Sequence, residues 1–266
     1  MNVFLRELRS YRKPIIFWSI GVFLMVASGM AKYEAYSSSG QSINDLIGDL
    51  PKSMKAIMGF GVVDLSKISG YYSMLYIYLL LMATIHAAML GASIIAKEER
   101  DKTAEFLFVK PISRNTIISA KLLAAFTNII IFNLVTWGSL IILVGKYNSS
   151  GEAVNGDIAL TMAGMFILQV LFLVIGSALA AVKRKPKTAP SLATGVLLLT
   201  YMLSIAIDLN EKIEGMKYFT PFKYFDAKNV MFGGGLEGIF IVLSVILIAI
   251  LLVVTFRFYK RKDLNA

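Results

Sequence analysis

The stretch YYSMLYIYLLLMATIHAAMLGASIIA, Tyr71–Ala96, runs for 26 residues without an acid, a lysine or an arginine. A helix rises about 1.5 Å per residue, so this run reaches about 39 Å, more than the roughly 30 Å hydrocarbon core of a bilayer. Five further apolar runs flank it: Ile15–Ala31, Ile117–Gly145, Ile158–Val182, Leu192–Leu209 and Leu236–Phe256. They are continuously apolar rather than alternating, which predicts spanning helices and not the strands of a β-barrel. Composition agrees: 57% of the 266 residues are hydrophobic, 17% are charged, and the mean hydropathy is +0.69. The segments between the runs are too short for a separate soluble domain. The expectation is a single all-α membrane domain over residues 1–266 with six spans.

The net charge of +10 would suit nucleic acid, but in so apolar a chain the placement of Lys and Arg decides. With the N-terminus inside, the inner segments hold Arg6, Arg9, Arg12 and Lys13, then six cations from Lys97 to Lys121, four from Lys183 to Lys187, and four from Arg257 to Lys262. That is 18 basic residues inside and 9 outside, against 6 acidic residues inside and 11 outside. The positive-inside rule then predicts a multi-pass protein of the cell membrane with both termini cytoplasmic, and no nucleic-acid partner. Within residues 1–14, Phe4, Leu8 and Tyr11 share a helical face beside the cations, which suits a helix lying in the inner interface. Pro14 permits a turn into the membrane. The opening partly resembles a secretory signal, with Ala27 and Gly29 imitating a cleavage site. The apolar run is longer than a usual signal core and five spans follow it, so retention is expected.

Cysteine is absent, which excludes disulfides and thiolate metal sites. Of the outer segments, residues 32–70 carry Ile43, Ile47, Leu50, Met54 and Ile57 at near-helical spacing with Pro51 dividing them, which predicts an element lying on the outer leaflet. Residues 210–235 concentrate Tyr218, Phe219, Phe222, Tyr224 and Phe225 around Pro221, an expected interfacial belt. Small residues recur four apart at Ala83, Ala87 and Gly91 and again at Gly176 and Ala180, marking seams within the bundle or between two copies.

The inner segment KEERDKTAEFLFVKPISR, Lys97–Arg114, is expected to form a short helix. Asp101 or Thr103 would cap it, Glu98, Glu99 and Glu105 favour its N-terminal end, Phe106 and Leu107 give it an apolar surface, and Pro111 stops it. On these residues alone it reads equally as an amphipathic turn against the headgroups or as a docking element. The string resembles the signature loop of ABC-2 type permeases, in which an acidic pair precedes a Thr-x-Glu-Phe-Leu-Leu-like stretch and then a Pro-Ile/Val-Ser-Arg ending. Glu98, Glu99, Thr103, Glu105, Phe106, Leu107, Pro111, Ile112, Ser113 and Arg114 carry that likeness. Leu50, Pro51, Met54, Gly59–Gly61, Gly70 and Tyr71 resemble the outer segment of the same family, and Pro221–Phe225 its last outer loop. Lys102 departs from the glycine that many relatives carry.

The resemblance implies a type V exporter-like permease fold with an inner interfacial N-terminal helix and a cytoplasmic coupling helix. It implies ATP-binding cassette ATPase subunits as partners, carrying ATP and Mg, together with a second permease copy or a similar permease. It also implies outward transport of an amphipathic cargo, in a branch that includes peptide toxin and antimicrobial peptide exporters. Coupling contacts are expected at Glu98, Glu99, Arg100 and Asp101 for polar docking and at Phe106 and Leu107 as apolar anchors, with Glu105 and Pro111 shaping the loop. Arg114 would dock or bind a phosphate headgroup. The chain is not expected to hydrolyse ATP: its Gly145–Lys146 pair is followed by Tyr147 on the outer side, which is no P-loop. An ion-coupled transporter is the main rival and would lean on His86, the one histidine, whose plainer reading is a packed polar residue. Scattered outer carboxylates such as Asp45, Asp49 and Asp64 make a membrane enzyme a poor fit. An immunity protein that sequesters a toxin would not need the inner loop. Cargo-recognising residues are not legible.

Overall fold

The computed structural model describes residues 3–38, 47–48, 50–58, 64–101, 112–148, 151–183 and 186–261, without the side chains of 36, 38, 52, 186 and 211. Its helices are α1 Val3–Ser10, α2 Arg12–Ser38, α3 Lys52–Ile57, α4 Ile68–Arg100, α5 Arg114–Tyr147, α6 Asn155–Val182, α7 Ala189–Leu209, α8 Ala227–Phe232 and α9 Gly238–Arg261. Among the described residues, α2, α4, α5, α6, α7 and α9 are long and apolar enough to cross a membrane, as the six runs predict. The helices outreach the apolar runs at several ends, because intrahelical hydrogen bonds remain favourable where the chain emerges into headgroups and water. That difference matters at the end of the bundle that holds α1 and the C-terminal end of α9, called inner here. Lys97–Arg100 form the last turn of α4 rather than the start of a separate helix, and Asp101 is its C-cap, its N–H bonded to the Lys97 carbonyl at 2.9 Å. Arg114 opens α5, where the Ser113 hydroxyl caps the helix by accepting from the Thr116 N–H at 3.2 Å. Thr103, Glu105, Phe106, Leu107 and Pro111 lie outside the described residues.

The bundle is built around α4 and α6, which share the longest seam. In lipid there is little hydrophobic drive between helices, so close van der Waals packing must hold them, and small residues permit it. A Cβ on Gly91 would lie 2.0 Å from the Leu173 carbonyl oxygen, and one on Gly176 would lie 2.2 Å from that of Ala88. Ala83, Ala87, Ala88, Ala92 and Ala180 are fully buried along the same seam. These small-residue rows therefore pack inside one bundle. Towards the outer side the Tyr72 hydroxyl meets the Thr161 hydroxyl at 2.6 Å, and Tyr76 donates to the Thr161 carbonyl at 2.9 Å. Around this pair, α2 leans on α5 and α4, α7 on α4, and α9 on α6. The outer helices turn apolar side chains such as Phe17, Leu199 and Val253 away from the bundle, as lipid requires.

The outer aromatic segment departs from the belt expectation. Phe222, Tyr224 and Phe225 are buried, Phe222 against Phe172 and Tyr201, and Tyr224 stacked on Phe240 at 4.9 Å. Phe225 sits against Gly164, where a Cβ would come within 2.9 Å of it. Tyr218 and Phe219 alone of the five stay exposed. This re-entering segment packs its rings among α6, α7 and α9. Pro51 stands just before α3, dividing the outer leaflet element as expected; Ile43 lies outside the described residues. The turn at the inner entry falls at Tyr11, and Pro14 lies in the first turn of α2, where its missing N–H costs nothing.

Candidate functional site at the roots of the inner loop

Lys121 is the anomaly from which the site is built. It lies two turns into α5 and its side chain is fully buried, where an unpaired ammonium would cost several kcal/mol, so partners are required. Its Nζ donates to the Glu98 carboxylate and to the Ile94 carbonyl, both on the inner end of α4. Glu98, only 4% exposed, takes a second cation through its other oxygen, the Arg6 guanidinium of α1 at 2.9 Å. Arg6 also holds Glu7 at 2.6 Å, and Glu7, fully buried, takes Lys97 at 3.0 Å. Lys97 completes the chain by donating to the Ser10 hydroxyl at 2.8 Å and lying 5.6 Å from the centre of the Tyr11 ring.

The result is an alternating string, Lys97–Glu7–Arg6–Glu98–Lys121, that clasps α1, the end of α4 and the start of α5 together. Burial alone would raise the Glu7 carboxyl, but Lys121, Lys97 and Arg6 outweigh it and hold Glu7 below its ordinary range. Glu7 and Glu98 in turn raise the Arg6 guanidinium against the same burial. Buried ion pairs of this kind add little net stability compared with an apolar core, yet breaking one is costly, which suits them to fixing register.

The residues expected to couple differ in exposure. Glu98 faces inward, its carboxylate occupied by Lys121 and Arg6. Glu99 is half-buried, whereas Arg100 and Asp101 are exposed and paired with each other at 3.0 Å. Arg114 donates to the Lys260 carbonyl at 2.7 Å, tying the far root of the loop to the inner end of α9. Both roots of residues 102–111 are thereby fastened, one to α1 and the other to α9. Sequence reasoning placed Lys121 at the inner boundary and passed over Glu7, although Glu7 is the only carboxylate before Glu34.

His86, the residue on which ion coupling would rest, packs between Trp18 and Phe132 at 5.2 and 5.0 Å, and its Nδ1 has no hydrogen-bond partner among the described residues. A nearby polar pair, Asn133 donating to Gln169 at 3.0 Å, bridges α5 and α6. Among the described residues no three metal-ligating side chains converge.

A search of curated proteins finds no match for the chain. The family model described as "ABC-2 family transporter protein" matches residues 1–264. Members of this family are the membrane subunits of transporters and do not themselves hydrolyse ATP. With six candidate spans and a match over nearly its whole length, the chain belongs to the ABC-2 transporter family.

Proposed function

We propose that the chain is the permease subunit of an ATP-driven exporter, working with two ATP-binding subunits and a second permease. The observation that carries this reading is the clasp at the roots of the inner loop. A loop that only covered headgroups would have no need to be fastened by buried charges to three helices, whereas a loop that receives force must be joined stiffly to what it moves. Docking then falls to Glu99, Arg100 and Asp101 with residues 102–111, while Glu98 and Arg114 hold the loop's roots. ATP-driven closure of the ATPases pushes on the loop. The clasp carries the push into α1, α4 and α5, and the α4–α6 seam moves as a unit between two arrangements. The excess of basic residues on the inner segments supports an orientation with both termini cytoplasmic.

The cargo we infer is amphipathic, a peptide or a lipid-like molecule, because the described spans offer apolar surface with few polar groups and no paired charge outside the inner clasp and the ends of the outer loops. Movement of fluorescent amphipathic peptides into proteoliposomes whose ATPases face the outside medium would test this. Uptake that needs ATP supports the reading. Transport driven by a proton gradient alone, and abolished by His86→Ala, would replace it with ion coupling.

A further inference from the structure

The cations on the inner side differ in how they are matched. Arg6, Lys97 and Lys121 are matched by Glu7 and Glu98. Arg257, Lys260 and Arg261 on α9 are exposed and form no ion pair among the described residues. Spaced three and four residues apart, they share one face of the helix. On that face they stand at the inner end of a shallow, open groove along α9, continued by Leu252, Val253 and Phe256. The groove therefore has a cationic end at headgroup level and an apolar end reaching into the membrane. α9 is the least enclosed of the six spans; Leu252 and Phe256 also pack partly against the core, while Val253 and the three cations are exposed.

We propose that this groove holds an anionic phospholipid of the inner leaflet, its phosphate on Arg257, Lys260 and Arg261 and an acyl chain along Leu252, Val253 and Phe256. From Leu252 to Arg261 a helix rises about 14 Å. That is far longer than a phosphate ion, so a free anion would use only the cationic end. Charge complementarity decides against a second copy presenting the same face, since its three cations would meet these three. The site also lies where it matters mechanically: the Lys260 carbonyl receives Arg114, so a lipid on α9 bears on the far root of the inner loop.

The test is native mass spectrometry of the purified full chain, from micelles holding equal phosphatidylglycerol and phosphatidylcholine. Wild type is compared with Arg257→Gln/Lys260→Gln/Arg261→Gln and with Arg9→Gln/Arg12→Gln/Lys13→Gln, which removes equal charge from α1 and the start of α2. The expected result is retention of phosphatidylglycerol over phosphatidylcholine by about tenfold in wild type and in the second variant, falling to near parity in the first. If the triple variant does not fold, Arg257→Gln and Arg261→Gln singly are each expected to lower the preference about threefold. Equal losses in both triple variants would overturn the site in favour of net charge alone. Displacement of the lipid by glycerol phosphate at matched concentration would overturn the acyl-chain half. Loss of a permease dimer with unchanged lipid retention would assign the face to a second copy instead.

Discussion

Removing Lys121 and removing Glu98 should not cost the same. In Lys121→Met, Glu98 keeps Arg6 as a partner at 2.9 Å, so the carboxylate is not stranded. The loss should sit at the lower end of the range for breaking a buried pair, about 3 kcal/mol. In Glu98→Gln, Lys121 retains the neutral amide and the Ile94 carbonyl but no carboxylate in direct contact, inside a fully buried site. That loss should approach about 5 kcal/mol. The double variant removes both charges and should cost less than the sum of the two, with a coupling of about 2 kcal/mol. The wild-type chain contains no cysteine, so a cysteine placed at the buried Val3 of α1 can be labelled alone. Thermal unfolding in detergent reads the stability; the cysteine at position 3, which is 8% exposed in the fold, is labelled when α1 has come away. Equal costs for the two single variants, or a double variant equal to their sum, would refute the clasp as a connected string.

Further predictions follow from the same structure. Gly91→Ala and Gly176→Ala each drive a methyl group into backbone, at 2.0 and 2.2 Å, so α4 and α6 must part; each should lower stability by about 1–3 kcal/mol, whereas Gly195→Ala, with nothing within 4 Å, should be neutral or slightly stabilising by thermal unfolding. Because the Glu7 carboxyl is held below its usual value of 4.5, its contribution is fully present above about pH 4.5 and is lost as pH falls through the lower folded value. Acid labelling of a cysteine at the buried position 3 should therefore rise in wild type and be high and flatter with pH in Glu7→Gln. Phe222→Ala removes a ring that is 5% exposed and should cost about 3–5 kcal/mol, while Phe219→Ala, 73% exposed, should cost under about 0.5 kcal/mol.

The spans were legible because the membrane imposes a length, and Tyr71–Ala96 exceeds it without a charge. The small-residue rows were legible as seams, but whether they met within one bundle or across two required knowing that Gly91 faces Leu173 and Gly176 faces Ala88. The clasp was hidden for a different reason. A lysine near the end of an apolar run ordinarily reaches headgroups, and Glu98 lies 23 positions away across the inner loop, so no local pattern pairs them. Glu7 did carry a signal, being a lone acid among Arg6, Arg9, Arg12 and Lys13. The helical face chosen from the sequence, Phe4, Leu8 and Tyr11, is half-buried, while Val3 and Glu7 point most deeply inward. The rings of Phe222, Tyr224 and Phe225 read as a belt because composition marks the interface and not which way a re-entering segment points.

The central claim is that the inner loop transmits force from separate ATPases through the clasp. Its most direct measurement is the mass, ATPase rate and cargo transport of the complex formed with ATP-binding subunits from the same genome, comparing wild type, Glu99→Arg/Phe106→Ala and Lys121→Met. The account predicts two permeases with two ATPases in wild type and weakened assembly in the loop variant. It also predicts intact assembly in Lys121→Met, with ATP hydrolysis no longer matched by cargo movement. A chain that binds no ATPase, or a Lys121→Met complex that transports as wild type does, would contradict it.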